Sequence, residues 1–321
     1  MKKRLSIIWL LVLFPFYNCF GQNEKEVKPE LKIDKQLTLV IGGIKQVIEI
    51  KTDDSRKPIL LFLAGGPGGS IMDNAGSFTG ILKKKFTVVQ WDQRDAGKTL
   101  KLNSSPVPPS IEQMGKDTYE VIRYLITELN QEKIYLLGSS WGNVLGFYIV
   151  KNHPEVLHAY FAANPLISQL ASEKELLETL KSYFKENDTA SKELATIKIP
   201  FQTEEDLYYL RKWLFYKDGK KYALGNNFKS FFLSWTKIWW PAWQESMTID
   251  LPNTLKKVDC PVYFLLGKYD IQTSTKIATE YYKQLEAPKK DLFLFEKSGH
   301  QIELDEPKEF QNTIIKIVES K

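Results

Sequence analysis

Residues 133–143 read Lys-Ile-Tyr-Leu-Leu-Gly-Ser-Ser-Trp-Gly-Asn, and this stretch decides the fold. Its first five residues are a short apolar run, the pattern of a strand buried on both faces. Residues 141–152 then read as a helix. Between them, Gly138-Ser139-Ser140-Trp141-Gly142 is a G-x-S-x-G. A strand that passes into a helix through such a turn lifts one side chain, Ser140, above the strand's carboxyl end. Glycines two residues before and two after let the backbone bend without a Cβ clash. The helix begins behind Ser140, so its free N–H groups and dipole face any negative charge that develops there. Ser139 is the competing hydroxyl, but the glycines do not flank it at the required offsets.

Working outward, strand and helix patterns alternate. Residues 37–51 form two β-rich runs around Gly42-Gly43, a hairpin signal. Apolar runs at 58–63, 86–91, 156–162, 261–266 and 292–295 read as further strands. Residues 110–130 read as a helix, with Ser110 and Gln113 at capping-box spacing, and a last helix follows Pro307. The predicted class is α/β: a mostly parallel sheet with helices on both faces. From about 167 to 255 the alternation stops. Helical patterns dominate there, and the stretch holds five of the eight tryptophans. A helical insertion late in such a sheet covers the carboxyl ends of the strands, where ligands bind. The expected organisation is a targeting segment at 1–21, sheet core at 22–166, helical cap at 167–255 and returning core at 256–321.

The targeting segment carries Lys2, Lys3 and Arg4 before an apolar stretch of 12 residues, 5–16. That is shorter than the roughly 20 needed to span a bilayer. Small residues at Cys19 and Gly21 precede Gln22. Export with cleavage near Gln22 is expected, leaving no stable membrane span; a retained anchor or lipidation at Cys19 are the alternatives. An intact-mass measurement on the native protein would locate the start. The full chain of 321 residues has net charge +5, three of whose positive charges belong to this segment. No basic footprint for nucleic acid remains. Cys19 and Cys260 are the two cysteines, too few for a disulfide framework or a zinc site, so neither metal nor other cofactor is expected.

A serine hydroxyl needs a base. Of the histidines, His153 and His158 fall at the far end of the helix after Ser140. His300 directly follows a strand, on the same side as Ser140, and is the candidate base. Asp270 ends Gly267-Lys268-Tyr269-Asp270, just past another strand, and is the candidate partner of the imidazole. Asp259 precedes that strand; Glu303 and Asp305 follow His300 but head into the last helix. The loop 64–70, Ala-Gly-Gly-Pro-Gly-Gly-Ser, can aim a backbone N–H at a bound carbonyl oxygen, with the N–H of Trp141 as second donor. It fits neither phosphate-cradling glycine pattern. Gly97-Lys98-Thr99 mimics the end of a P-loop, but Asp92 stands where that motif needs glycine.

AGGPGGS, VVQWDQRDAGKT, GSSWGN, LLGKYD and SGH occur in the order and spacing of the α/β-hydrolase superfamily, and the sequence resembles its prolyl iminopeptidase-like branch. That branch carries HGGPG, a DQRG-AG-[KR]-S segment and G-x-S-W-G. The resemblance runs from about residue 37 to the end and is diffuse in the cap. It implies a triad of Ser140, Asp270 and His300, with oxyanion hydrogen bonds from Gly66 and Trp141. Ala64 replaces the motif's histidine, which is not the catalytic base, and Asp95 replaces a glycine.

The expected activity is hydrolysis of a small ester or amide, including an N-terminal aminoacyl bond, through an acyl-enzyme. Esterase, lactonase or cofactor-free haloperoxidase-like activity shares the triad, and a non-catalytic binding protein of the same fold is the alternative of another class. The expected partner is a small molecule or short peptide. Trp239, Trp240 and Trp243 are the candidate pocket wall, Pro241 being expected to weaken the helix that carries them. Glu245, with Glu204 and Glu205, is the candidate for binding a free amine.

Overall fold

The computed structural model describes residues 32–320; the expected targeting segment and its cleavage site lie outside the described residues. Eight strands are β1 (Ile33–Ile41), β2 (Ile44–Thr52), β3 (Ile59–Leu63), β4 (Thr87–Asp92), β5 (Ile134–Ser139), β6 (Leu157–Ala163), β7 (Val262–Gly267) and β8 (Lys290–Phe295). They form one sheet in the order β1-β2-β4-β3-β5-β6-β7-β8. β1 and β2 are the antiparallel hairpin, β2 lies antiparallel to β4, and every other pairing is parallel. The carboxyl ends of β3 to β8 therefore open on one edge.

Residue parity divides the core. Leu61, Leu63, Leu136, Phe264 and Leu266 belong to one buried cluster, with the helices Ile111–Glu128, Gly142–Asn152 and Thr275–Gln284. Leu60, Phe62, Leu137, Phe161 and Leu265 belong to the other, with Phe78 and the helix Pro307–Glu319. Alternate side chains of a strand leave opposite faces, so a run buried on both sides must be apolar throughout. β3 is buried at all five positions.

Between β6 and β7 the described chain forms helices and no strand, at Gln169–Tyr183, Asp188–Thr196, Glu204–Lys217, Asn226–Ser246 and Leu251–Thr254. The excursion leaves and returns at one place. Ser168 bridges Asp250, the Gln169 N–H donates to Ile249 O at 3.2 Å, and the Leu251 N–H donates to Ile167 O at 3.0 Å. The expected break at Pro241 does not occur: Asn226–Ser246 is one helix of 21 residues. Pro241 is exposed, and so is Lys237 one turn back, whose carbonyl loses a donor, so both face the solvent side of the helix. No helix of the described residues is long and apolar enough to cross a membrane.

Candidate active site

Ser140 holds φ at +53°, a left-handed conformation that costs a non-glycine residue about 1–3 kcal/mol. Buried hydrogen bonds hold it there. The Ser140 N–H donates to Ala163 O at 3.0 Å, and Asn143 Nδ2 donates to both Ser140 O and Ala163 O at 2.9 Å. Tyr160 in turn donates its hydroxyl to Asn143 Oδ1 at 2.5 Å. Gly142 is needed because a Cβ there would stand 2.2 Å from the Leu63 carbonyl oxygen. The strain is thus held by the ends of β3, β5 and β6.

Three loops bring a relay together. Ser140 Oγ lies 2.8 Å from His300 Nε2, and His300 Nδ1 lies 2.8 Å from Asp270 Oδ2. Asp270 is 5% exposed and fully solvated by the protein. Its Oδ1 accepts the N–H groups of Gln272 and Thr273 at 2.8 and 3.2 Å, and Oδ2 also accepts the Thr273 hydroxyl at 2.7 Å. Asn164, just past β6, joins the acid and base loops. Its Nδ2 donates to Gly299 O and His300 O at 3.1 and 2.8 Å, while its Oδ1 accepts the Gly267 N–H at 2.8 Å. No motif announces Asn164; its only sequence signal is its place after a strand.

Burial works against charge on both members of the pair, yet their attraction wins. Burial would lower the His300 pKa, but the Asp270 carboxylate, through charge and hydrogen bond, and the charge of Glu303 raise it above the ordinary value. Burial would raise Asp270, but His300 and the Thr273 hydrogen bonds hold it below the usual carboxylate range. His153 stacks on Tyr119 and His158 lies against Tyr135, at the other end of the sheet.

The glycine-rich loop after β3 is fixed from behind by the segment after β4. Gln93 Nε2 donates to Ala64 O at 3.0 Å, and the Ser70 hydroxyl donates to Asp92 Oδ1 at 2.6 Å. Asp95, at φ +54°, accepts the Ser105 N–H on Oδ1 at 2.8 Å. That hydrogen bond, from ten residues along the chain, helps a non-glycine residue hold the left-handed position. Among the described residues, no acceptor takes the N–H of Gly66 or of Trp141.

A pocket of about 500 Å³ opens above Ser140 between this loop and the inserted helices. Phe215, Phe228, Phe231, Phe232, Trp235 and Trp243 form its apolar wall. Arg211 lies across the Trp243 ring at 5.2 Å and grips both oxygens of Glu173. The helices therefore roof the strand ends, and the relay forms the floor.

This sequence matches the description of the alpha/beta hydrolase fold across residues 58–307. The chain belongs to that family. It is a hydrolase, and it is similar to proteins named aminopeptidase and proline iminopeptidase. It is 28% identical over 318 residues to the "Probable aminopeptidase YbaC" of Bacillus subtilis (strain 168), covering 89% of this chain and 96% of that one. It is 24% identical over 284 residues to a proline iminopeptidase of Heyndrickxia coagulans, covering 84% and 93%. A solved proline iminopeptidase of Mycobacterium smegmatis superposes with a TM-score of 0.64 at 17% identity, covering 89% and 98% of the two chains, which speaks for the fold alone.

The hydrolase's roof differs from the expected one in three of four positions. Trp243 lines the pocket. Trp239 does not: its indole, 1% exposed, lies under the glycine-rich loop, 2.2 Å from where a Cβ on Gly68 would be. Trp240 packs against the main core cluster and is absent from the pocket wall. Glu245 stands away from the pocket, where its Oε2 accepts the Ile111 N–H at 2.8 Å and satisfies the exposed start of a core helix. Helical spacing gave the shared faces of these residues but not which face meets the sheet. Conversely, Glu303 does not leave with the last helix. The helix Ile302–Asp305 is a single turn that ends before Pro307, and it returns Glu303 to the pocket, where Oε1 accepts the Ser139 hydroxyl at 3.2 Å.

Proposed function

We propose that this hydrolase is a serine aminopeptidase that releases a small N-terminal residue from a short peptide or amide through an acyl-enzyme on Ser140. The carrying observation is the 2.8 Å and 2.8 Å relay from Ser140 through His300 to Asp270 beneath an aromatic pocket. Neutral His300 takes the Ser140 proton at Nε2 as Oγ attacks the carbonyl carbon. The oxyanion receives the free N–H groups of Gly66 and Trp141. The protonated imidazole then gives its proton to the departing amine. Water, activated by the same nitrogen, releases the acid. Asp270 keeps Nδ1 protonated throughout.

The similarity to aminopeptidase-named relatives supports an aminoacyl substrate, and a pocket of about 500 Å³ suits a small one. A specific observation favours a second reading, esterase action. Each cap glutamate expected to bind an amine is engaged elsewhere: Glu204 accepts the Thr236 hydroxyl at 2.7 Å, Glu205 pairs with Lys229 at 3.5 Å, and Glu245 holds Ile111. A panel of aminoacyl arylamides beside short acyl esters separates the readings, with fluorophosphonate labelling as the check on the nucleophile. Cleavage of esters alone would sink the aminopeptidase assignment; an unlabelled Ser140 would sink both. Export remains part of the proposal. Burial pushes the Cys260 thiol up to about 12, so it stays protonated and inert in an oxidising compartment.

The pH profile follows from the sign of the His300 shift. Protonated His300 cannot accept the serine proton, so kcat/KM falls as pH drops through the imidazole pKa. Because that pKa is raised, the acid limb is expected above about 6.5, the ordinary value. Initial rates from pH 5 to 9, with the fold followed by circular dichroism, check this. A limb below 6 in folded protein would contradict His300 as the base.

A further inference from the structure

We infer that Glu303, from the loop after β8 and not from the cap, is the carboxylate that receives the free ammonium group of the substrate. This inference rests on the aminopeptidase reading above. Two carboxylates line the pocket, Asp218 and Glu303. The Asp218 side chain is 40% exposed; burial raises its pKa too, but the Lys217 ammonium stands 3.9 Å away and Lys220 also acts on it. Glu303 is different. No lysine or arginine pairs with it among the described residues, and the Ser139 hydroxyl on Oε1 is its one side-chain hydrogen-bond partner. Its Oε2 is closed to solvent and has no partner. The two cations of the pocket are committed elsewhere, Arg211 to Glu173 and Lys220 to Gln301 Oε1 at 3.3 Å.

A partly buried carboxyl with an orphan oxygen is costly unless a ligand completes it. Burial raises the pKa of this one, outweighing the nearby His300 and the Ser139 hydrogen bond, as expected where no lysine or arginine stands beside it. An incoming ammonium group is that counter-cation, and it restores the ionised form. The place is right as well. An α-ammonium group stands two bonds from the carbonyl carbon that Ser140 attacks, so its anchor must lie within about one residue's reach of Ser140. Ser139 is the adjacent residue and touches Glu303 directly. The terminal torsion of a glutamate is broad, so a turn about it brings Oε2 forward without moving the backbone.

The test compares an aminoacyl arylamide with its des-amino analogue, in which hydrogen replaces the amine. In the parent, kcat/KM should favour the free amine. In Glu303→Gln that preference should fall by at least about 30-fold, mainly through KM, since a charge-assisted pair is lost; Glu303→Asp should recover part of it. Fluorophosphonate labelling of each variant reports an intact Ser140 site. An equal loss on both substrates would make Glu303 a positioning residue only and overturn the inference, as would an unchanged preference. A parent indifferent to the amine would instead overturn the aminopeptidase reading itself. A measurement free of variants stands beside these. Propylammonium should inhibit the parent's hydrolysis of an acyl ester competitively, where 1-propanol does not; equal effects of the two would also overturn the inference.

Discussion

Ser140→Ala is expected to lower kcat/KM by about 10⁴-fold or more, His300→Ala to do the same, and the double variant to lose little beyond either one. The reason is the shared proton. Without Oγ there is nothing for Nε2 to activate, and without Nε2 the hydroxyl 2.8 Å away remains a weak nucleophile. In the proposed mechanism the two side chains act as one device, so their losses should not add. What survives is binding and whatever polarisation the N–H groups of Gly66 and Trp141 provide. Neither substitution should disturb the fold, because the elbow is held by Asn143, Tyr160 and backbone groups and not by Oγ. Steady-state kinetics with matched thermal melts check this. Near-normal turnover by Ser140→Ala, with no covalent labelling of the parent, would overturn the mechanism.

The second large effect is expected from Asp270→Asn, again about 10⁴-fold in kcat. Asp270 accepts four hydrogen bonds, two backbone N–H groups on Oδ1 and Thr273 Oγ1 with His300 Nδ1 on Oδ2. An asparagine can keep only one of those sides as an acceptor. Turning its oxygen to the backbone amides leaves –NH₂ facing His300. The imidazole must then accept at Nδ1 and carry its proton on Nε2, where it blocks the serine. Turning the amide the other way sets –NH₂ against two backbone donors with no acceptor between them. The first arrangement costs less, so the fold should survive while the base faces the wrong way. Kinetics above the acid limb, where His300 is neutral in both proteins, isolate the effect. A loss smaller than tenfold there would show that Asp270 does not set the tautomer.

The fold and the relay are largely legible in the sequence because both follow from where strands end. An apolar run bounded by glycine is a strand whichever helix covers it, and parallel strands deliver their next loops to one edge. Ser140, Asp270 and His300 each follow such a run by one to five residues, so their meeting needs no knowledge of packing. The cap is another matter. Trp239, Trp240 and Trp243 lie on one helix, and periodicity says which of them share a face. Whether that face meets the sheet, the neighbouring helix or the pocket depends on contacts with Gly68 and Arg211, distant in the chain. Glu245 is misread for the same reason, since its partner Ile111 is 134 residues away. Glu303 is passed over because one turn of helix after His300 looks like the start of the last helix, when Pro307 begins a new one. Asn164 gives no signal because its work is done by a side chain between two loops absent from its own neighbourhood.

The Trp235 indole donates to the Pro67 carbonyl at 2.9 Å, and its neighbour Trp239 rests against Gly68. The longest roof helix is therefore riveted to the very turn that carries Gly66. A lid that swung clear would have to tear out that rivet and drag the turn with it. Phe231, 69% exposed, lines the chamber and meets solvent at the roof's edge. A shift of the roof helix is therefore carried to the turn bearing Gly66 through the Trp235 and Trp239 contacts.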